Sequence, residues 1–123
     1  MTVTAEDFHG TTGLGNIDFP KPRLALSRTH GVNKIIQVCR AARRQPMTLI
    51  LTGPMTNLAL ALTMAPDIGS GIEEVVLMGG AHVEGGNITP YAEFNVFADP
   101  HAAAIVFGSG LAIRCLSLDV THF

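Results

Sequence analysis

The chain has 123 residues, 47% of them hydrophobic and 15% charged, a balance that describes one packed globular domain over 1–123 and excludes a disordered segment. Eight Lys and Arg stand against ten Asp and Glu, for a formal net charge of −2. With a pI near 6.2 and basic residues diluted along the chain, no basic face is offered to a phosphate backbone, so nucleic acid is excluded as a partner.

In chain order, residues 1–28 carry Gly10, Gly13, Gly15, Pro20 and Pro22 without sustained periodicity and read as one long ordered loop. Loops beyond ~12–15 residues in compact domains are commonly functional or disordered, and the stretch HGTTGLG from His9 is too particular in composition for a linker. Over 29–44, Val32, Ile35, Ile36, Cys39 and Ala42 recur at helical spacing, with Thr29 in position to cap and Pro46 blocking continuation. Arg40, Arg43 and Arg44 then fall near the C-terminus of that helix, a solvated face where cations meet the dipole favourably. Residues 47–51, MTLIL, predict a short strand buried on both faces and closed by Thr52-Gly53-Pro54. A second helix is expected over 56–65, a strand over 74–78 ending in Gly79-Gly80, and a helix over 100–107. Asp99 caps that last helix and Pro100 occupies its first turn. Gly108 and Gly110 end it, and 112–118 completes the series with another apolar strand.

This alternation predicts an α/β fold with a mostly parallel sheet and right-handed crossovers. In such sheets ligands gather beyond the carboxyl ends of the strands, where Thr52-Gly53-Pro54 and Met78-Gly79-Gly80 both lie. No apolar run approaches the ~18 residues of a spanning helix, so a soluble, cytoplasmic protein with no membrane partner is expected. Cys39 and Cys115 sit in apolar runs without metal-ligand spacing, which predicts buried, reduced thiols.

Two familiar nucleotide signals fail. Gly13-Leu14-Gly15 lacks a third glycine, because Asp18 holds that place, and the turn after 47–51 has no Gly-Lys-Ser/Thr. The segment from Gly85 to Asn95 concentrates polar groups between a strand and a helix. If 93–95 is extended, Glu93 and Asn95 share one side and Phe94 faces the other. A carboxylate that only accepts, beside an amide that donates and accepts, suits vicinal hydroxyls; a capped loop packed by Phe94 explains the same residues. His9, at the mouth of the glycine loop, is either an acid or ligand contact or simply exposed. His30, His82, His101 and His122 have no metal-site spacing and are assigned no role.

Five motifs in order, HGTTGLG from His9, TGPMTNLA from Thr52, Met78-Gly79-Gly80, GNITP from Gly86, and AEFN from Ala92 with Ala98-Asp99-Pro100, resemble the inosine-uridine-type nucleoside hydrolases. The resemblance extends to Leu118-Asp119-Val120-Thr121 and covers nearly all of this chain, but well under half of the family's length. It implies a central portion of a Rossmann-like nucleoside hydrolase domain, and an activity that hydrolyses the N-glycosidic bond of purine or pyrimidine ribonucleosides to ribose and free base. It also implies a calcium ion, held largely by aspartates, that binds the attacking water and two ribose hydroxyls while one aspartate acts as general base; oxygen-only ligation suits that hard cation.

By the same resemblance Thr52 would give its backbone carbonyl to calcium, Asn87 and Glu93 would hold the ribose 5′-hydroxyl end, and Asn95 another ribose hydroxyl. Met78 would line the ribose pocket, Phe94 would lie near ribose and leaving base, and His9 would belong to a loop closing over the ribonucleoside substrate. The family's Asp-x-Asp-x-x-x-Asp-Asp motif is not in these residues, so no catalytic base is assigned, and the chain alone is expected neither to bind calcium nor to turn over. The alternative is a non-catalytic ribose-binding or interaction module that has lost the metal centre. A three-strand portion of a larger parallel sheet leaves an apolar edge and face uncovered and predicts association, as a homo-oligomer or with the family's further segments.

Overall fold

Three parallel strands in the order β1-β2-β3 organise the computed structural model, which describes residues 6–10, 12, 13, 15, 17 and 20–122. Thr11 and Leu14 of the glycine loop, and Asp18 in the place of a third glycine, lie outside the described residues. The loop expected over 1–28 contains one helical turn, α1 (Glu6–His9).

Helix α2 (Gly31–Ala41) buries Val32, Ile36 and Cys39, the i, i+4, i+7 stripe of its sequence. Its cap is His30 rather than Thr29: the helix starts at Gly31, so His30 immediately precedes it and its Nδ1 accepts the Val32 N–H at 3.3 Å. The chain then tightens into a 3-10 turn, Ala42–Arg44, before strand β1 (Met47–Leu51). Helix α3 (Thr56–Met64) and a 3-10 segment, Pro66–Gly71, lead into strand β2 (Ile72–Met78). Helices α4 (Phe94–Ala98) and α5 (Pro100–Phe107) cross back to strand β3 (Ile113–Leu116), and a last turn, α6 (Leu118–Thr121), follows. Asp99 caps α5 as the sequence predicts, accepting the Ala102 N–H at 2.9 Å, and also takes the Thr56 hydroxyl at 2.6 Å, which joins the starts of α3 and α5. The Thr56 hydroxyl, then the Ala102 N–H, hold the Asp99 carboxyl below its ordinary range.

The core lies on one face of the sheet. Val75 and Leu77 of β2 meet Val32, Ile36 and Cys39 of α2, Leu58, Ala59 and Ala61 of α3, and Ala102, Ala103 and Val106 of α5 in a single buried cluster. The other face departs from expectation. Strand β1 was predicted to be buried on both sides, yet Thr48 and Ile50 are exposed, Ile50 at 74%. The register explains it. Ile50 pairs with Val76 and Val76 with Arg114, on the face opposite the core residues Val75 and Leu77, where Ile50 and Arg114 are both exposed. Cys39 is buried, and burial raises its thiol pKa. Cys115, predicted buried, is exposed, because β3 is an edge strand.

Arg40 on α2 and Arg43 on the following turn both pair with Asp67, Arg40 through two contacts of 2.9 Å. The Arg40 guanidinium holds the Asp67 carboxyl down to about 2. The groups remain well exposed, so the trio is the solvated face its sequence predicts, and exposed pairs of this kind add little stability. Among the described residues no helix is long and apolar enough to cross a membrane.

The tightest backbone approach in the core is at Gly71, where an added Cβ would stand 1.8 Å from the Cys39 carbonyl oxygen. That oxygen already accepts the Ala42 N–H that closes α2, so it has little freedom to retreat. Gly71→Ala is expected to lower the unfolding free energy by about 3 kcal/mol, the upper end of overpacking costs. Urea titration checks this, and an unchanged midpoint would mean the two segments separate freely.

Candidate functional site

All three strands deliver their carboxyl ends to one cleft of about 390 Å³, within the size range of small-molecule sites. Thr52 follows β1, Met78 ends β2, and Leu118 and Thr121 of α6 follow β3, with His122 just beyond. His9, the last residue of α1, lies on the rim. The loop after β2 and the start of α4 contribute Asn87, Glu93, Phe94 and Asn95. Every residue singled out from the sequence as a site candidate, His9, Thr52, Met78, Asn87, Glu93, Phe94 and Asn95, therefore lines one cleft.

The local conformation at 93–95 is not the extended run considered from sequence. Glu93 alone is extended, and it caps a helix that begins at Phe94. The reason is in its hydrogen bonds. The Glu93 side chain, 2% exposed, accepts Asn95 N–H at 2.9 Å on Oε1, and Val96 N–H at 3.2 Å and Gly80 N–H at 3.0 Å on Oε2. Two of these donors are unpaired amides of the first turn of α4, which a carboxylate satisfies well. The third comes from the backbone just past β2, so one side chain ties the strand end to the helix start.

Asn95, 8% exposed, donates through Nδ2 to the Met78 carbonyl at 3.0 Å, with the Met78 sulfur at 3.3 Å. Asn87 is half-buried and accepts the Phe94 N–H on Oδ1 at 2.8 Å. Its position follows from the turn it occupies. Gly86 N–H bonds the Pro90 carbonyl and Asn87 N–H the Ala92 carbonyl, both at 3.1 Å, and a Cβ on Gly86 would meet Thr89 O at 2.1 Å, so the turn closes only around a glycine. Each amide thus spends one end on the scaffold. Among the described residues no bond engages Asn87 Nδ2 or Asn95 Oδ1, which leaves a donor and an acceptor for whatever fills the cleft.

Sequence reasoning missed the third wall. Leu118, Thr121 and His122 line the cleft, and His122 Nδ1 lies 3.2 Å from Glu84 Oε1. No local signal marked it, since His122 stands four residues beyond the predicted strand end at Leu118 and has no metal-site spacing. Among the described residues the side-chain oxygens do not make a cage for a hard divalent cation. Among the described residues no three His, Cys, Asp or Glu side chains converge, and the cleft's buried carboxylate, Glu93, is engaged by three backbone amides.

The family model described as inosine-uridine preferring nucleoside hydrolase matches residues 1–123. The chain is 47% identical over 120 residues to the pyrimidine-specific ribonucleoside hydrolase RihA of Shewanella oneidensis, covering 98% of this chain and 37% of that protein. It is 44% identical to the enzyme of the same description from Photobacterium profundum, with 98% and 38% covered. Among solved structures, the purine-preferring ribonucleoside hydrolase of Gardnerella vaginalis superposes with a TM-score of 0.82 at 36% identity, covering 93% of this chain and 36% of that one. The chain thus spans less than two-fifths of the length of these relatives.

Replacing Glu93 by glutamine keeps its size but turns one acceptor oxygen into a donor facing backbone N–H groups. Glu93→Gln is expected to cost about 2 kcal/mol of stability, the desolvation penalty of a buried donor left without its partner. Thermal unfolding followed by circular dichroism checks this, and an unshifted Tm would mean that the three amides find other acceptors.

Proposed function

The chain belongs to the inosine-uridine preferring nucleoside hydrolase family, and we propose that its cleft grips the ribose of a ribonucleoside whose bond to the base is cut by water. The observation that carries this reading is the complementary pair left over from the scaffold. Asn87 offers N–H, Asn95 offers a carbonyl oxygen, and the Glu93 carboxylate stands between them in sequence and beside them in the cleft. A hydroxyl both donates and accepts, so a row of hydroxyls on one sugar edge matches such a set better than an apolar or anionic ligand does.

Cleavage of an N-ribosyl bond passes through a species with positive charge spread over the sugar ring. A buried carboxylate held by fixed amide dipoles need not reorganise to stabilise it, and clamped hydroxyls orient the ring for attack. In this reading Asn87 and Glu93 hold the 5′-hydroxyl end, Asn95 holds another hydroxyl, Met78 and Phe94 pack against the sugar, and His9 closes the rim. The relatives include both pyrimidine-specific and purine-preferring enzymes, and the proposal concerns the ribose half that both substrates share. Calcium is proposed as the metal of the whole protein, with the Thr52 carbonyl as the ligand this chain would supply. Loss of ribose release on chelation and its return with calcium checks that assignment.

The exposed Ile50 on the far face of edge strand β1, together with a second edge at β3, supports self-association of the chain. Light scattering should give a mass above that of one copy, and a monodisperse monomer at high concentration would exclude it.

Asn87→Asp separates the sugar contact from the scaffold, because the new carboxylate still accepts the Phe94 N–H while the donor toward the cleft is gone. In the protein that carries this chain, kcat/KM for uridine and inosine is expected to fall on the order of 10²-fold with little change in Tm. The loss should shrink sharply on 5′-deoxynucleosides, where the contacted hydroxyl is absent. Equal losses on both substrates would remove Asn87 from the sugar contact.

A further inference from the structure

Of the polar groups near the cleft, Asp119 makes the largest number of bonds and carries no part of the reading above. It lies in α6, and its Oδ1 accepts the N–H groups of Val83 at 2.8 Å and Glu84 at 3.0 Å. Its Oδ2 accepts the His82 N–H at 2.9 Å and the Ser117 hydroxyl at 2.9 Å. Three consecutive amides of one loop therefore converge on one side chain from a segment more than 30 residues away. These backbone bonds, those of Val83 and Glu84 foremost, hold the Asp119 carboxyl well below the usual carboxylate range.

The loop that Asp119 grips is the one that presents Asn87. Residues 81–92 leave β2 and contain no helix or strand; besides their two ends they are tied by Asn87 Oδ1 to the Phe94 N–H and by the exposed Glu84 side chain to His122, and neither of these bonds holds the backbone of 82–84. The Leu118 N–H also bonds the Gly80 carbonyl at 3.0 Å, so the segment after β3 meets the loop at its root and again at 82–84. Immediately beyond the gripped amides come Gly85 and Gly86, then Asn87. A loop of this length is otherwise free to sample many backbone states, and a donor that wanders by an ångström loses much of its value in a site.

Resting on the ribose-clamp reading, we propose that Asp119 is the positioning residue of this cleft: by gathering the amides of His82, Val83 and Glu84 it fixes the loop that holds Asn87 against the substrate. Asp119 touches no substrate and acts through the backbone alone. The carboxylate is suited to the task because it supplies four acceptor positions in a compact group and here uses all four. An amide in its place supplies half of them, and a methyl none.

The test compares Asp119→Asn and Asp119→Ala with the unaltered form of the protein that carries this chain, by amide hydrogen exchange and by steady-state kinetics on uridine and inosine. Asp119→Ala is expected to speed exchange at 82–92 at least tenfold while the amides of β2 and α3 keep their protection, and to lower kcat/KM about tenfold. Asp119→Asn, which retains one carbonyl oxygen, should recover part of both losses. Asp119→Ala combined with Asn87→Asp should cost little more than Asn87→Asp alone, since the fixed donor is already gone. Faster exchange throughout the chain would make Asp119 a general stabiliser and overturn the proposal, as would a loosened loop with unaltered kinetics. If Asn87→Asp alone leaves kinetics unaltered, the clamp reading fails, and local loop loosening in Asp119→Ala still decides separately whether this side chain holds the loop.

Discussion

The Glu93 carboxylate sits in the interior and receives three backbone N–H groups, one from the chain just past β2 and two from the first turn of α4. A charge placed there is costly unless its oxygens are well supplied with donors, and a helix start is one of the few places where amides are available in quantity. This requirement sets where α4 begins. It draws the loop between β2 and α4 back over the strand ends and leaves Asn87, Phe94 and Asn95 facing the same space. The cleft is thus enclosed largely because one acid needs donors that only the main chain can give.

The same economy recurs in the two asparagines. Asn87 uses its oxygen on the Phe94 amide and Asn95 uses its nitrogen on the Met78 carbonyl, so the two side chains are held from opposite ends and present opposite characters. Anchoring one end of an amide removes most of its rotamer freedom, and the other end then meets a ligand without further ordering. Folding and recognition are coupled at these residues, so a substitution that removes the whole side chain disturbs both.

Much of the fold was legible because it rests on short-range rules. Period-3.6 stripes and breakers placed α2, α3 and α5, and apolar runs ending in glycine or proline placed β1 and β2. The errors came from long-range facts. Whether MTLIL is covered on both sides depends on what packs on the far face of the sheet, and Cys115 is exposed because β3 has a neighbour on only one side. The bend at Phe94 was illegible for the same reason, since Gly80, 13 residues before Glu93, supplies one of the donors that fix it. The site candidates were recognised through motifs. The wall formed by Leu118, Thr121 and His122 was not, because nothing local to those residues distinguishes the end of an apolar strand from the floor of a cleft.

The two cysteines make the molecule readily observable. Cys39 is sealed beneath α2 against Gly71, whereas Cys115 is open to solvent on β3, two residues before the segment that meets the cleft loop. A thiol reagent under native conditions therefore has one target. Partial burial raises the Cys115 pKa, so labelling favours mildly alkaline solution, where more of the thiolate is present. A fluorophore attached there would sit beside the strand that feeds α6 and report on that region without any engineered residue. Later modification of Cys39 would serve as an internal clock for opening of the core.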